Sequence, residues 1–320
     1  MHIDIETRMR RAGLGVFAAA ALIIAACVTR ASFAQGSHVA QEEPIVPIPA
    51  APAADPAKLA LGERLFRDKR LSRDGTRSCA SCHDLQSNGA SGKAHDAALD
   101  GSPLAFNTNT LFNAALSFRL GWRGDFRTLE SQAAATLRNP QIMATDPEQV
   151  VVKLSDDPAL AREFRSAYGR ELDVAGLLDA LATFERSLVT PASRFDRWLA
   201  GDVDALSRQE QAGYRLFKSL GCVSCHQGVN VGGNMYQRPG IFRALVPGAP
   251  ALLRVPSLRN VADTAPYFHD GSVPTLEEAV RRMGLAQLNA RLTDEQISSL
   301  VEYLRTLSGE YDGQGVRSSR

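Results

Sequence analysis

Cys222-Val223-Ser224-Cys225-His226 restates, with different middle residues, a run already present at Cys79-Ala80-Ser81-Cys82-His83. In such a run two thiols add across the two vinyl groups of a haem and the adjacent histidine becomes the proximal iron ligand, so five residues form a covalent cofactor address. A redox Cys-x-x-Cys needs a βαβ setting, and a structural zinc site needs two Cys pairs or a Cys pair with closely spaced His. Neither accompanies these runs. The sequence therefore predicts two covalently bound c-type haems, one on Cys79, Cys82 and His83 and one on Cys222, Cys225 and His226.

Working outward, each run follows a helix. Ser207-Arg208-Gln209-Glu210 is a capping box, and the helix it opens carries Gly213-Tyr214-Arg215-Leu216-Phe217 before Gly221 ends it against Cys222. In the first half Asp55 and Pro56 open a segment through Leu61, Leu65 and Phe66 that contains Gly62-Glu63-Arg64-Leu65-Phe66 and ends near Asp68. The shared G-x-R-L-F ahead of both haem sites reads as a duplicated module. Between them the pattern predicts helices from Asp157-Pro158 to Tyr168 and from about Leu172 to Leu188. Residues 228–250 are irregular and Gly-rich, and two short helices follow, opened by Thr275 with Glu278 and by Thr293 with Gln296. The fold class is mainly α-helical with long loops, and a porphyrin can supply much of the core.

The 320-residue chain has length for two domains, and its apolar fraction of 44% is ordinary for a globular protein. Residues 1–34 read as a secretory signal: Arg8, Arg10 and Arg11 form the positive start, residues 13–29 are uncharged and mostly apolar, and Ser32-Phe33-Ala34 offers a cleavage site. Cys27, after Ile24-Ala25-Ala26, resembles a lipoprotein attachment site, although Ser32-Phe33-Ala34 is the tidier cut. Formal charge is +1, and losing the segment removes four Arg and two acids, leaving a body near −1. Nothing in that balance suggests nucleic acid as a partner. Export to the periplasm agrees with haem attachment. Residues 35–54, rich in Pro and Ala, read as a flexible lead-in, residues 55–200 and 201–310 as two haem domains, and residues 311–320 as a disordered tail.

Each motif fixes one iron ligand, so function turns on the sixth position: a His or Met there makes an electron-transfer centre, and an open position permits chemistry on a small molecule. Apart from the proximal pair, the body offers His38, His95 and His269, and Met143, Met235 and Met283.

From Leu59 to about Gly309 the chain resembles the bacterial dihaem cytochrome c peroxidases, relatives of the MauG-type maturases. The resemblance rests on L-G-x-R-L-F before the first haem, on Asn107 to Ala114, on Leu129-Glu130-Ser131-Gln132 and on Ser193-Arg194-Phe195-Asp196. The most specific block is Ala265-Pro266-Tyr267-Phe268-His269-Asp270-Gly271 with Thr275-Leu276-Glu277-Glu278-Ala279. It implies two cytochrome c-like domains, a peroxidatic haem on His83 and an electron-accepting haem on His226. Met283 would be the sixth ligand of the second haem and His95 a detachable ligand of the first. Trp122 would lie between the haems, and Asn107, Thr264 and Pro266 would hold a calcium ion. The implied partners are hydrogen peroxide, a small soluble donor such as a cytochrome c or cupredoxin, and a second copy of the chain in a homodimer.

One departure stands out. The family carries a proton-moving glutamate ten residues after the position of Gln132, where this chain has Ile142, and a proline four residues after it, where this chain has Thr136. Ile142 leaves a dihaem electron carrier as an alternative, with irons capped by His83/His95 and His226/Met283. A MauG-like oxidant of a partner protein is disfavoured by Met283, since a tyrosine there would suggest the maturases.

Overall fold

The computed structural model describes residues 43–318. The expectations placed on residues 1–34, on Cys27 and on His38 lie outside the described residues, as does the start of the lead-in. Helices supply nearly all regular structure: α1 (Pro56–Phe66), α2 (Leu129–Arg138), α3 (Pro147–Ser155), α4 (Pro158–Tyr168), α5 (Val174–Ser187), α6 (Arg194–Leu199), α7 (Arg208–Ser219), α8 (Leu276–Leu288) and α9 (Asp294–Arg305). The strands are two-residue antiparallel pairs, β1 (Tyr236–Gln237) with β2 (Leu253–Arg254) and β3 (Glu310–Tyr311) with β4 (Gln314–Gly315).

Local chemistry sets the helix ends. Asp55 accepts from the amides of Ala57 and Lys58 at the start of α1, Asp157 does the same for Ala159 and Leu160 at α4, and Gly169 closes α4 in the left-handed region. The boxes at Ser207/Glu210 and Thr293/Gln296 are reciprocal. At α8 only half of the expected box forms: Thr275 accepts from the Glu278 amide, while the Glu278 carboxylate pairs with Arg282 at 2.8 Å. Asp173 caps α5, so that helix starts at Val174 rather than near Leu172.

Two large apolar clusters and a small third one of Leu120, Leu129 and Ala182 form the interior of the described residues. One of the large clusters joins Leu61, Leu65 and Phe66 of α1 to Leu177, Leu181 and Phe184 of α5 and to Val150, Leu154, Leu160 and Phe164. The other joins Tyr214 and Phe217 of α7 to Leu300, Tyr303 and Leu304 of α9, with Phe195, Val261 and Leu276. The repeated glycine explains the likeness. A Cβ on Gly62 would sit 2.1 Å from the Ala180 carbonyl oxygen of α5, and one on Gly213 would sit 2.0 Å from that of Ser299 in α9. Each G-x-R-L-F helix thus lies against its partner helix at a distance that only glycine allows.

Two terminal expectations are corrected. Residues 44–48 of the presumed flexible lead-in are docked: Ile45 is fully buried in the second cluster, Ile48 is 5% exposed, and the Val46 carbonyl accepts from Arg259 Nη2 at 2.8 Å. Arg259 is itself buried and paired with Asp196, so the segment satisfies a guanidinium as well as burying two isoleucines. The presumed disordered tail forms the β3–β4 hairpin, with the Tyr311 ring 5.0 Å from Phe112 and Arg317 Nε donating to the Gln86 carbonyl. One aromatic ring on an apolar neighbour outweighed a polar composition.

Candidate active site

Both Cys-x-x-Cys-His runs fold alike. Cys79–Ser81 and Cys222–Ser224 are single 3-10 turns, and the amide of each following histidine donates to the carbonyl of the first cysteine, at 3.1 Å for His83 and 3.0 Å for His226. Each imidazole then places Nδ1 on a backbone carbonyl, His83 on Gly89 at 3.0 Å and His226 on Val231 at 3.2 Å. That fixes the ring and leaves Nε2 for a metal. Burial pushes both imidazoles down, His226 to about 4, so both are neutral and able to ligate.

The thiols do not have the setting of redox thiolates. All four are free of disulfides, and burial pushes Cys79 up to about 12 and Cys222 to about 11, the opposite of a reactive Cys-x-x-Cys. Among the described residues no group of three or more His, Cys, Asp or Glu could hold a bare metal ion.

The two runs line one cavity of about 590 Å³. Besides Cys79, Cys82, His83, Cys222, Cys225 and His226, its wall includes Gln132, Thr136, Ile142 and Met143, of which the last two pack in the cluster of Cys79, and Leu276, Val280 and Met283, of which the first two pack in the cluster of Cys222. Six motif residues facing a largely apolar space fit covalently bound porphyrins. Met283, on α8, faces the same cavity as His226. Met143 is 3% exposed and packed in the first apolar cluster.

Gln132 stands on α2, where its Nε2 donates to Thr136 Oγ1 at 2.9 Å. Ile142 is half-buried on the wall and carries no proton. Trp122 also lines the cavity: its Nε1 donates to the Asn107 carbonyl at 2.7 Å, and its ring meets His269 edge-on at 6.2 Å. His95 is not among the wall residues; its Nδ1 is buried without a hydrogen-bond partner. The loop before it is held by Asn107, whose Nδ2 donates to the carbonyls of Lys93 and Ala94. Asn107, Thr264 and Pro266 all reach the wall. They offer only neutral oxygens, and the Asn107 carbonyl already accepts from Trp122, which leaves its Oδ1 as the free side-chain donor to a hard cation.

Four charged wall residues, Arg77, Glu185, Arg238 and Arg254, were missed in the sequence, and two of them are buried. Arg254, 7% exposed, donates from Nε to the Gly121 carbonyl at 3.0 Å, and burial pushes its guanidinium down. No pattern marks it, because β2 is two residues long. Glu185 follows Leu177 and Leu181 at the helical step of four, so an acid on the apolar stripe of α5 was a readable signal.

A helical chain that sets two Cys-x-x-Cys-His runs on one internal cavity is a c-type cytochrome with two haems. The comparisons agree and go further. The family model described as Di-haem cytochrome c peroxidase matches residues 56–204, and that of cytochrome c matches residues 210–308. The cytochrome c551 peroxidase of Nitrosomonas europaea is 37% identical, over 88% of this chain and 88% of that protein. The methylamine utilization protein MauG of Methylorubrum extorquens is 31% identical, over 83% and 82%. The crystal structure of a MauG-like protein associated with microbial copper homeostasis superposes with a TM-score of 0.68 at 28% identity, covering 83% of this chain and 94% of that one. The chain belongs to the di-haem cytochrome c peroxidase family, with two cytochrome c-type domains and two covalent c-type haems.

Proposed function

We propose that the protein reduces hydrogen peroxide to water at the His83 haem, with electrons entering one at a time at the His226 haem from a small soluble cytochrome c or cupredoxin. The observation that carries this reading is the mixed wall of the cavity: the thioether of Met283, on the helix that brings Leu276 and Val280 to the Cys222 cluster, against the amide of Gln132 and the hydroxyl of Thr136, on the helix that brings Leu137 to the Cys79 cluster, and the Glu185 carboxyl that acts on the Cys79 thiol. Thioether ligation by Met283 raises a haem potential, as an electron entry site requires, while an iron with an open position binds a peroxide. Gln132, steadied by Thr136, orients the peroxide by hydrogen bonding, and Trp122 shortens the electron path across the cavity wall. His95, which lies off the cavity wall in this structure, would be a detachable ligand of the first haem that reaches it by movement of its loop. Calcium at Asn107, Thr264 and Pro266 fixes the loop that leads to His95. The segment 1–34 directs export to the periplasm and is cleaved after Ala34, and the working unit is a homodimer.

The test is stopped-flow absorbance of the half-reduced, calcium-loaded dihaem protein mixed with hydrogen peroxide, together with steady-state oxidation of a reduced cytochrome c. Rapid spectral change and sustained donor oxidation are expected. Ile142 on the wall favours a second reading, a dihaem electron carrier with both irons capped. Low-spin spectra that do not respond to peroxide would replace the first reading with the second.

A further inference from the structure

Reduction of hydrogen peroxide breaks one O–O bond, consumes two electrons and two protons, and yields two waters. The electrons are supplied by the donor protein; the proton that reaches the departing oxygen needs a positioned acid, a service worth about 10²- to 10⁴-fold in rate. Gln132 and Thr136 hydrogen-bond but do not titrate in the working range, and Ile142 and Met143 do neither. Of all the described residues on the cavity wall, one carries a carboxyl group: Glu185.

Its setting is that of a proton holder rather than an ion-pair partner. Glu185 is 7% exposed, and its Oε2 is buried with no hydrogen-bond partner. The neighbouring cation, Arg186 on the same helix, is turned away and paired with Glu130 of α2. Leu181 and Glu185, one turn apart on α5, both reach the wall, and α2 packs against α5 while bringing Gln132 and Thr136 to the same space. Cys79 is close enough for the carboxylate to act on its thiol. Burial first, then the Glu130 charge, push Glu185 up to about 8 against the smaller pull of Arg186, so the carboxyl is neutral at pH 7. A neutral carboxyl facing a reaction cavity is a general acid poised near the working pH.

We propose that Glu185 is the proton-holding residue of the His83 haem cavity, giving its proton to the peroxide oxygen that departs as water and regaining one from solvent. The proposal rests on the peroxidase reading for the identity of the acceptor. It does not rest on that reading for the proton itself, which any redox change of the adjacent haem would also sense.

The experiment therefore has an arm that needs no turnover. In the dihaem holoprotein, infrared difference spectra and potentiometric titration of the His83 haem are recorded from pH 6 to 10 for wild type, Glu185→Gln and Glu185→Asp. Wild type should show a protonated-carboxyl band that disappears as pH rises through about 8, with a break in the potential at the same pH; both should be absent in Glu185→Gln and kept, shifted, in Glu185→Asp. In the second arm, kcat/KM for hydrogen peroxide should fall as pH rises through about 8 in wild type. Glu185→Gln should lose about 10²- to 10⁴-fold and that pH limb, with partial rescue by Glu185→Asp. A wild type that is inert to peroxide but shows the band and the break would sink the peroxidase reading and leave the proton holder standing. A wild type without band or break, which needs no variant to fold, overturns the proposal, as does a Glu185→Gln protein with unchanged pH profiles.

Discussion

The cavity wall takes Met283 from α8, the helix packed in the Cys222 cluster, and Gln132 and Thr136 from α2, the helix packed in the Cys79 cluster, together with Ile142 of that cluster and Glu185, which acts on the Cys79 thiol. Beneath those walls the two regions are built alike, with a helix crossing another over a glycine, a 3-10 turn and an imidazole Nδ1 on a carbonyl. The shared parts are what any c-type haem needs: attachment, a neutral ligand and an apolar bed. The unshared parts decide chemistry. A soft sulfur suits a permanent sixth ligand, whereas an amide, a hydroxyl and a carboxyl suit a small polar reactant.

The largest effect should come from attacking the shared scaffold. Gly62→Val and Gly213→Val each force a side chain to within about 2 Å of a carbonyl, and should lower stability by at least the roughly 1–3 kcal/mol of an overpacked core. Equal losses of melting temperature and haem content in the two variants would sharpen the likeness; a loss at one glycine alone would break it. Next, Ile45→Ala should cost about 2–5 kcal/mol in denaturant unfolding, as for other buried isoleucines, and Pro52→Ala almost nothing. An unaffected Ile45→Ala would mean that the second half stands without the docked lead-in.

The walls give smaller and more selective effects. Met283→Ala should lower the potential of the His226 haem and donor-driven turnover by at least the roughly 10- to 100-fold that loss of a supporting partner costs a metal site. The His83 haem spectrum should not change. Stability should also depend on pH through Glu185. Its folded-state pKa of about 8 lies above its ordinary 4.5, so the native state binds more protons than the unfolded state between those values. Relative to Glu185→Gln, wild type should therefore lose stability as pH rises from about 4.5 to about 8, by up to about 1.4 kcal/mol per unit, with no further change above. Denaturation curves at matched haem content would check this, and parallel pH dependences would contradict it. Smallest of all, Ile142→Glu should raise kcat by less than about tenfold, far short of the 10²- to 10⁴-fold value of a new acid, because the cavity already holds one.

Much of this was legible in the sequence because it is local. Cys-x-x-Cys-His states its own chemistry over five residues, and Ser207/Glu210 and Asp157-Pro158 mark helix starts within four. Gly62 and Gly213 could be matched as a repeat, though the reason for the match, a carbonyl on another helix, is visible only in three dimensions. Three helices escaped: α2, α3 and α6 are 10, 9 and 6 residues long, too short for a firm period. Ile45 and Tyr311 were misjudged because a few apolar side chains in a polar or Pro-rich stretch say nothing of the surface waiting for them. Glu185 was passed over for the opposite reason: the signal, an acid on the apolar stripe of an amphipathic helix, was readable, but it takes on meaning only with the cavity it faces.

The most direct test of the difference between the two walls is a cyanide titration of the half-reduced, calcium-loaded dihaem protein, followed by electron paramagnetic resonance for the ferric His83 haem and by optical absorbance for the ferrous His226 haem. An open His83 site and a Met283-capped His226 site predict that cyanide converts the His83 haem signal alone. No response at either haem, or a response at the His226 haem, would contradict the account.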